Sequence, residues 1–231
     1  TGEYDAKAAY EAFNEQLVTP RLDPEAEVLF TQNTAYSIDM TDHGSAAASS
    51  LMNALRATYD ASIAVGYSPL VSTSIYCGDY SKQQLLWVMA GNYAVSQGDY
   101  TGAELRQMME WLVNVKDNGA NPIRHRNYMP VTSGMEYKVT EYEQGKFRLE
   151  EVTINGAPLD DTATYTVFVA GTDVWIENEA FCNCPMPENL KAKRTEYAIE
   201  KVDSCSCLKD SLAVSKQFPA PSEYLTIVQG E

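Results

Sequence analysis

An α+β fold, with helices packed in layers on a mixed or antiparallel sheet, is predicted by two observations. Apolar residues recur at helical spacing in four segments before residue 117. From residue 126 to 170 they alternate with the period of two that is typical of strands. One more helix and one more strand follow, so helices and hairpins are largely segregated along the chain, as in α+β proteins.

The first two helices are predicted over residues 4–18 and 44–59. Tyr10, Phe13 and Leu17 share one face of the first helix, and Pro20 ends it. Ser45 is the expected N-cap of the second helix, since its hydroxyl can accept a bond from a free N–H group of the first turn. The expected buried stripe of the second helix comprises Ala48, Leu51, Met52, Leu55 and Tyr59.

Short strands and two further helices are expected next. Strand-like segments lie at 27–32, 63–65 and 93–97, and turns are expected at Ser68–Pro69 and Gly78–Asp79. The third helix covers 82–89 with Ser81 as its cap. Thr101 caps the fourth helix, and Glu104 completes its capping box.

The second half is predicted to form hairpins. The expected strands are 128–133, 136–142, 147–154 and 165–170, with turns at Gly134, Gln144–Gly145 and Asn155–Gly156. A polar stretch at 176–204 is predicted to be a loop insertion. A last helix at 208–214 and a last strand at 224–228 complete the pattern.

Composition excludes several functional classes. The chain has 231 residues with 45% hydrophobic residues, enough for a real core, and its formal net charge is −15. Such an acidic chain is a poor partner for nucleic acid, and no apolar run approaches the roughly 20 residues that span a membrane. The first residues, TGEYDAK, suggest a processed or excised chain.

Histidine and cysteine limit the possible metal chemistry. His43 and His125 are the two histidines, and both are interpreted as surface or capping residues. Cys77 stands alone, and the other four cysteines form two Cys-x-Cys pairs, Cys182–Cys184 and Cys205–Cys207. Disulfides, a four-thiolate zinc site and free thiols all remain open for these pairs.

A series of ordered motifs resembles the C-terminal domain of the 5'-nucleotidase family. Gly78-Asp79-Tyr80-Ser81 resembles the start of a helix in that family, and the Thr-Gly-x-x-Leu helix follows at the family's spacing. The other similar segments, in order, are Ser133-Gly134-Met135-Glu136-Tyr137, Asn155-Gly156-Ala157-Pro158-Leu159, Thr164-Tyr165-Thr166-Val167 and Pro221-Ser222-Glu223-Tyr224-Leu225-Thr226. The resemblance covers roughly residues 28–229.

The resemblance implies the substrate-recognition part of a secreted, two-domain metallophosphohydrolase. In that family an upstream metallophosphoesterase domain holds two metals and hydrolyses the substrate, while the C-terminal domain binds a nucleotide and delivers it. Residues 1–25 are similar in position to the linker helix, and 26–231 to the C-terminal domain with a Cys-bearing insertion at 176–207. The expected partners are therefore a small nucleotide-like substrate and the upstream domain. The family's metal ligands have no counterpart here, so this chain alone is expected to be inactive and to need no cofactor. The resemblance also implies a location outside the cell, at its surface or in the periplasm.

The resemblance also assigns the substrate-binding positions, and most of them carry different residues. The family's two base-stacking phenylalanines fall on Gly91 and near Thr172, the asparagine of the first phenylalanine's loop falls on Tyr93, and the family's aspartate falls near Asn178. The phosphate-binding arginine falls on Ser72. Two upstream arginines are also absent from residues 27–43. Stacking is worth about 1–3 kcal/mol per base and each arginine–phosphate bond about 1.5–3 kcal/mol, so ordinary nucleotide affinity should be lost.

Two functions remain open from the sequence. Tyr67, Tyr76, Tyr93 and Trp175 could supply a different aromatic wall for an altered substrate. The alternative is a non-catalytic binding or surface module that retains only the fold.

Overall fold

The computed structural model describes residues 27–67, 70–89, 94–114, 129–171, 186–203, 212 and 215–230. The helices in these ranges are α1 (Ala46–Thr58), α2 (Lys82–Val88), α3 (Gly102–Asn114) and α4 (Glu188–Glu196). The strands are β1 (Phe30–Gln32), β2 (Ile63–Tyr67), β3 (Gly78–Tyr80), β4 (Ala94–Thr101), β5 (Pro130–Ser133), β6 (Glu136–Glu143), β7 (Lys146–Ile154), β8 (Ala157–Pro158), β9 (Thr164–Ala170), β10 (Ala198–Asp203) and β11 (Leu225–Gln229).

Helix beginnings follow the capping signals in the sequence. Ser45 caps α1, since its hydroxyl accepts a bond from the main-chain N–H of Ala48. Ser81 and Gln84 form a capping box at α2. At α3 the N–H of Thr101 donates to Glu104, and the N–H of Glu104 donates to the Thr101 hydroxyl at 3.2 Å. These three predicted starts are therefore confirmed.

A five-stranded sheet forms the centre of the described structure, in the order β10-β4-β9-β2-β5. Strands β2 and β9 run parallel, while β4 is antiparallel to β9 and β5 is antiparallel to β2. Helix α1 packs on one face through β2 and β5. Gly98 on β4 lies against the ring of Tyr197, which follows α4, so this part of the sheet is covered from the α4 side.

The second large sheet has four strands, in the order β11-β6-β7-β8. The turns at Gly145 and Asn155–Gly156 have positive φ and connect antiparallel neighbours, as predicted. Strand β11 pairs in parallel with β6, from Leu225 opposite Tyr137 to Gln229 opposite Glu141. Helix α3 packs on β7, and one hydrophobic core joins both sheets and the small β1–β3 ribbon.

Three local predictions are corrected by the structure. Gly78–Asp79, predicted as a turn, belongs to β3 and pairs with β1. The Gly134 turn does not close a hairpin, because β5 and β6 belong to different sheets. The segment 176–204, predicted as a loop, contains α4 and β10 in its described part, since Leu190 is buried and β10 pairs with β4.

Other predictions concern residues outside the described ranges. The helix at 4–18 and most of the helix at 208–214 are among them, as is the Ser68–Pro69 turn. No helix within the described ranges is long and apolar enough to cross a membrane.

Candidate functional site at one edge of the five-stranded sheet

The topology brings three chain segments to one edge of the five-stranded sheet. Strands β2 and β9 run in the same direction, with Val65 opposite Val169, so both end at this edge. Strand β4 runs the other way, with Val95 opposite Ala170, and therefore begins there. Ligands in sheets with parallel neighbours commonly bind beyond the carboxyl ends of the strands. This edge is therefore the candidate site.

The same edge carries the ends of the two outer strands. Pro130, the first residue of β5, pairs with Tyr67 at the end of β2. Asp203, the last residue of β10, pairs with Ala94 at the start of β4. The segments with the predicted substrate-binding positions are joined in sequence to the central three strands, after β2, before β4 and after β9.

Ser72 connects the segment after β2 to the carboxyl end of α2. Its main-chain N–H donates to the Val88 carbonyl at 2.7 Å. Its hydroxyl faces the carbonyl oxygens of Trp87, Val88 and Met89 and has one proton to donate among them. These are carbonyls that the last turn of a helix leaves without partners. Ser72 thus has a structural role here, and its contact with a ligand remains a prediction that would use the oxygen lone pairs.

The other predicted site residues lie outside the described ranges. They are Gly91, Tyr93, Thr172, Trp175 and Asn178. The described residues next to them lie close together, because the N–H of Gly171 donates to the Ala94 carbonyl at 3.1 Å. Gly171 has φ of +80°, a conformation in which glycine is favoured. The chain therefore bends where it leaves β9, beside the start of β4.

A cavity of about 460 Å³ lies beside Ser72, between residues 73–80 and helix α2. Its lining residues are Thr73, Ser74, Tyr76, Cys77, Asp79, Tyr80, Gln84, Trp87 and Val88. Tyr76 was one candidate for the alternative aromatic wall, and 61% of its surface is exposed. Trp87 was not among the site residues predicted from the sequence, although its position on α2 indicates a side chain outside the buried stripe. Leu85 and Val88 form the buried stripe, so Trp87 points off that stripe.

A buried tyrosine fixes one wall of this cavity. The Tyr80 ring is stacked on Phe30, with centroids 5.0 Å apart. Its hydroxyl accepts from the main-chain N–H of Tyr76 at 2.9 Å and lies 3.1 Å from the Tyr76 carbonyl, to which it donates. Burial raises the pKa of Tyr80 despite the opposing effect of the hydrogen bond that its hydroxyl accepts from the Tyr76 backbone. The phenol therefore stays protonated at neutral pH and holds the Tyr76 backbone in place.

Among the described residues that line the cavity, Asp79 is the one with a formally charged side chain. Its carboxylate accepts the Thr31 hydroxyl at 2.6 Å. Cys77 is an exposed free thiol whose sulfur lies 3.4 Å from the Asn33 carbonyl. None of the lining residues that the structure describes is basic, so these side chains offer no cationic partner for a phosphate group.

Metal-ligand clusters of three or more His, Cys, Asp or Glu side chains are absent from the part of the chain that the structure describes. His43 lies in the turn before α1, with its side chain 59% exposed and its Nδ1 3.8 Å from Glu223. The surface interpretation of His43 is therefore confirmed. His125 and the two Cys-x-Cys pairs lie outside the described residues.

Comparisons with known proteins agree with this architecture. The family described as 5'-nucleotidase, C-terminal domain, matches residues 27–172, which is more than half of the chain. No curated protein gives a significant sequence match.

Three solved structures illustrate the structural similarity. A 5'-nucleotidase precursor from Thermus thermophilus superimposes with a TM-score of 0.65 at 17% identity, covering 98% of this chain and 43% of that one. The NAD nucleotidase of Haemophilus influenzae gives 0.66 at 12%, covering 100% and 42%. The sulfate thiohydrolase SoxB of Thermus thermophilus gives 0.63 at 16%, covering 98% and 40%. At these identities the likeness is one of fold, and the chain spans less than half the length of each relative.

Proposed function

The chain belongs to the 5'-nucleotidase family, whose C-terminal domain it matches, and we propose that it recognises the substrate of a metallophosphohydrolase whose metal site lies in a separate domain. The observation that carries this proposal is that the end of β2, the start of β4 and the end of β9 lie together at one sheet edge. The proposed substrate is a nucleotide or a related phosphoester. We also propose that the protein works outside the cell, at its surface or in the periplasm.

Residues from three segments would hold the substrate at this edge. Ser72, Gly91 and Tyr93 lie on the first two segments, and Thr172, Trp175 and Asn178 follow β9. Tyr93 and Trp175 are the aromatic residues of this set, and they are proposed to take the place of a phenylalanine pair. No arginine lies among these six positions, which supports altered phosphate recognition rather than an ordinary nucleotide pocket.

The role of the chain would be delivery rather than chemistry. Hydrolysis of a phosphoester by two metals needs a cluster of histidine and carboxylate ligands that activates water and stabilises charge on the phosphoryl group. The described residues contain no such cluster. The metals are therefore assigned to the separate domain, and this chain is proposed to position the ester against them.

Residues 1–231 alone should release no phosphate from nucleotides or phosphodiesters, with or without Mn²⁺, Zn²⁺ or Co²⁺. Activity should appear when the chain is joined to its metallophosphoesterase domain, and phosphate release measures both cases. Metal-dependent turnover by the isolated chain that disappears in His43→Ala or His125→Ala would contradict the proposal.

Substrate recognition is tested in the two-domain protein by Tyr93→Ala and Trp175→Ala. Loss of a stacked ring should raise KM by roughly 5- to 150-fold, the factor that corresponds to about 1–3 kcal/mol. Tyr142→Ala is the matched control, because Tyr142 is a 56% exposed aromatic residue on β6 in the other sheet. Unchanged KM in both test variants would rule out an aromatic wall at this edge.

A non-catalytic binding module is the second candidate. It is favoured by Ser72, whose hydroxyl is engaged by main-chain carbonyls at the position where the family resemblance places an arginine. If the two-domain protein with metals hydrolyses no phosphoester, this second function replaces the first.

A further inference from the structure

We propose that the cavity between residues 73–80 and α2 binds a ring-bearing organic cation, such as an arylalkylammonium ion. The cavity shares Tyr76 with the alternative aromatic wall considered above, but none of its described lining residues is among the six proposed substrate-binding positions, so the two proposals can fail separately. Its volume of about 460 Å³ lies within the range of small-molecule sites, about 300–1,000 Å³. The Tyr76 and Trp87 side chains, the Asp79 carboxylate and the Gln84 amide are its chemically informative groups.

The aromatic residues offer a surface for a ring and for a positive charge. Tyr76 is 61% exposed, and its backbone is bonded to the Tyr80 hydroxyl, which accepts the Tyr76 N–H and donates to the Tyr76 carbonyl. Trp87 lines the cavity from α2. Aromatic faces attract an ammonium group through the ring quadrupole, and tryptophan does so most strongly. A solvent-accessible tyrosine and a tryptophan that line the same cavity therefore suit a cationic ligand.

The charge of the cavity selects between cationic, neutral and anionic ligands. Asp79 supplies the one formal charge among the described lining side chains, and its bond from Thr31 leaves further lone pairs of the carboxylate for a ligand. Gln84 also lines the cavity, and its amide oxygen accepts the main-chain N–H of Ser81. A phosphate or carboxylate ligand would meet Asp79 without any basic residue in the lining.

The test measures binding of three probes that share one ring system. Tryptamine carries an ammonium group, 3-ethylindole is neutral and indole-3-propionate is anionic. We expect tryptamine to bind about tenfold or more tightly than 3-ethylindole, and indole-3-propionate to bind more weakly still. Calorimetry and ligand-observed NMR on residues 1–231 measure these affinities.

Variants distinguish the contribution of the Asp79 charge from that of the Tyr76 ring. Asp79→Asn keeps an oxygen that can accept the Thr31 hydroxyl, and it should abolish the preference for tryptamine over 3-ethylindole. Tyr76→Ala should weaken both probes, while Tyr76→Phe should restore binding because the ring returns. Glu136→Gln is the control for the loss of one negative charge, since Glu136 is an exposed residue on β6 in the other sheet.

Several outcomes would overturn the proposal. Equal affinity for the ammonium and neutral probes would exclude a cation site, as would an unchanged preference in Asp79→Asn. Stronger binding of neutral monosaccharides than of tryptamine would assign the cavity to sugars instead. Absence of binding by all three probes at about 10 mM, a concentration above typical weak affinities of about 1 mM, would exclude a ring-binding site.

Discussion

Single residues in this domain are constrained by contacts between segments that are distant in the sequence. Gly44 precedes the cap of α1, has φ of +99°, and lies where a Cβ atom would be 2.3 Å from the Tyr224 ring. The Tyr224 hydroxyl also accepts the main-chain N–H of Ser45 at 2.9 Å. Glycine at this position therefore lets β11 and the start of α1 approach each other.

Gly44→Ala should lower the free energy of unfolding by about 2–4 kcal/mol, because it adds steric overlap to backbone strain. Urea denaturation followed by circular dichroism measures the change. Gly156→Ala is the control, since Gly156 has φ of +74° but an added methyl group there would meet no heavy atom within 4 Å. Only the strain of about 1–2 kcal/mol should appear there. Equal losses in the two variants would contradict a packing role for Gly44.

At the scale of secondary-structure elements, α4 is connected to α3 by a partly buried ion pair. The Lys193 ammonium donates to Glu104 at 2.6 Å and to the Asp99 carbonyl at 3.1 Å. It also lies 5.3 Å from the centre of the Tyr100 ring. Burial opposes ionisation of Glu104, but the bonds from Lys193 and Thr101 outweigh it and lower the pKa of the carboxyl.

Lys193→Met should reduce the free energy of unfolding by about 1–2 kcal/mol at pH 7, since a bond to a charged group is lost. Because the Glu104 pKa is lower in the folded protein, the stabilisation is present above the unfolded value of about 4.3 and is lost as pH falls through the folded value. The pH dependence in this acidic range should therefore be smaller in the variant. Denaturation curves between neutral and acidic pH measure both effects.

The control for this ion pair is Lys191→Met, because Lys191 is an exposed residue on the same helix. It should change stability little. A double-mutant cycle with Glu104→Gln isolates the energy of the pair. A coupling energy close to zero would mean that Lys193 stabilises α4 through packing on Tyr100 instead.

In the whole molecule, the C-terminal segment contacts both α1 and the four-stranded sheet. Ser50 donates to the Pro219 carbonyl at 2.6 Å, and Asn53 donates to the Ala220 carbonyl at 2.8 Å. Beyond them, β11 pairs with β6, and the N–H of Ile227 donates to the Asp42 carbonyl. The C-terminal segment therefore holds α1 and the four-stranded sheet together.

Removal of residues 223–231 should abolish cooperative unfolding. The deletion takes away the buried side chains of Tyr224 and Leu225, worth about 1.5–3 kcal/mol each, together with the parallel strand. That loss is comparable with a typical total stability of about 5–15 kcal/mol. Differential scanning calorimetry should show a sharp transition for a control that ends at Gly230. A similarly sharp transition for the longer deletion would contradict this role.

Local features of this protein follow from short signals in its sequence. Ser45, Ser81 and the pair Thr101 and Glu104 begin helices at the predicted residues, and Asn155–Gly156 closes a hairpin. Each of these signals acts within about four residues on backbone groups that the same segment must satisfy. The motifs that resemble the family are likewise short and local, so they indicate the family without knowledge of the strand pairing.

Which segments meet depends on tertiary packing. The parallel pairing of β2 with β9 and of β11 with β6 joins strands far apart in sequence, and a period of two specifies a face of a strand but not its neighbour. The same limit applies to the polar α4, whose packing depends on Leu190 and Lys193, and to the cavity that places Trp87 beside Tyr76. The α+β class and the family follow from local chemistry, whereas the sheet edge and its adjoining cavity depend on long-range pairing that is determined only when the whole chain packs.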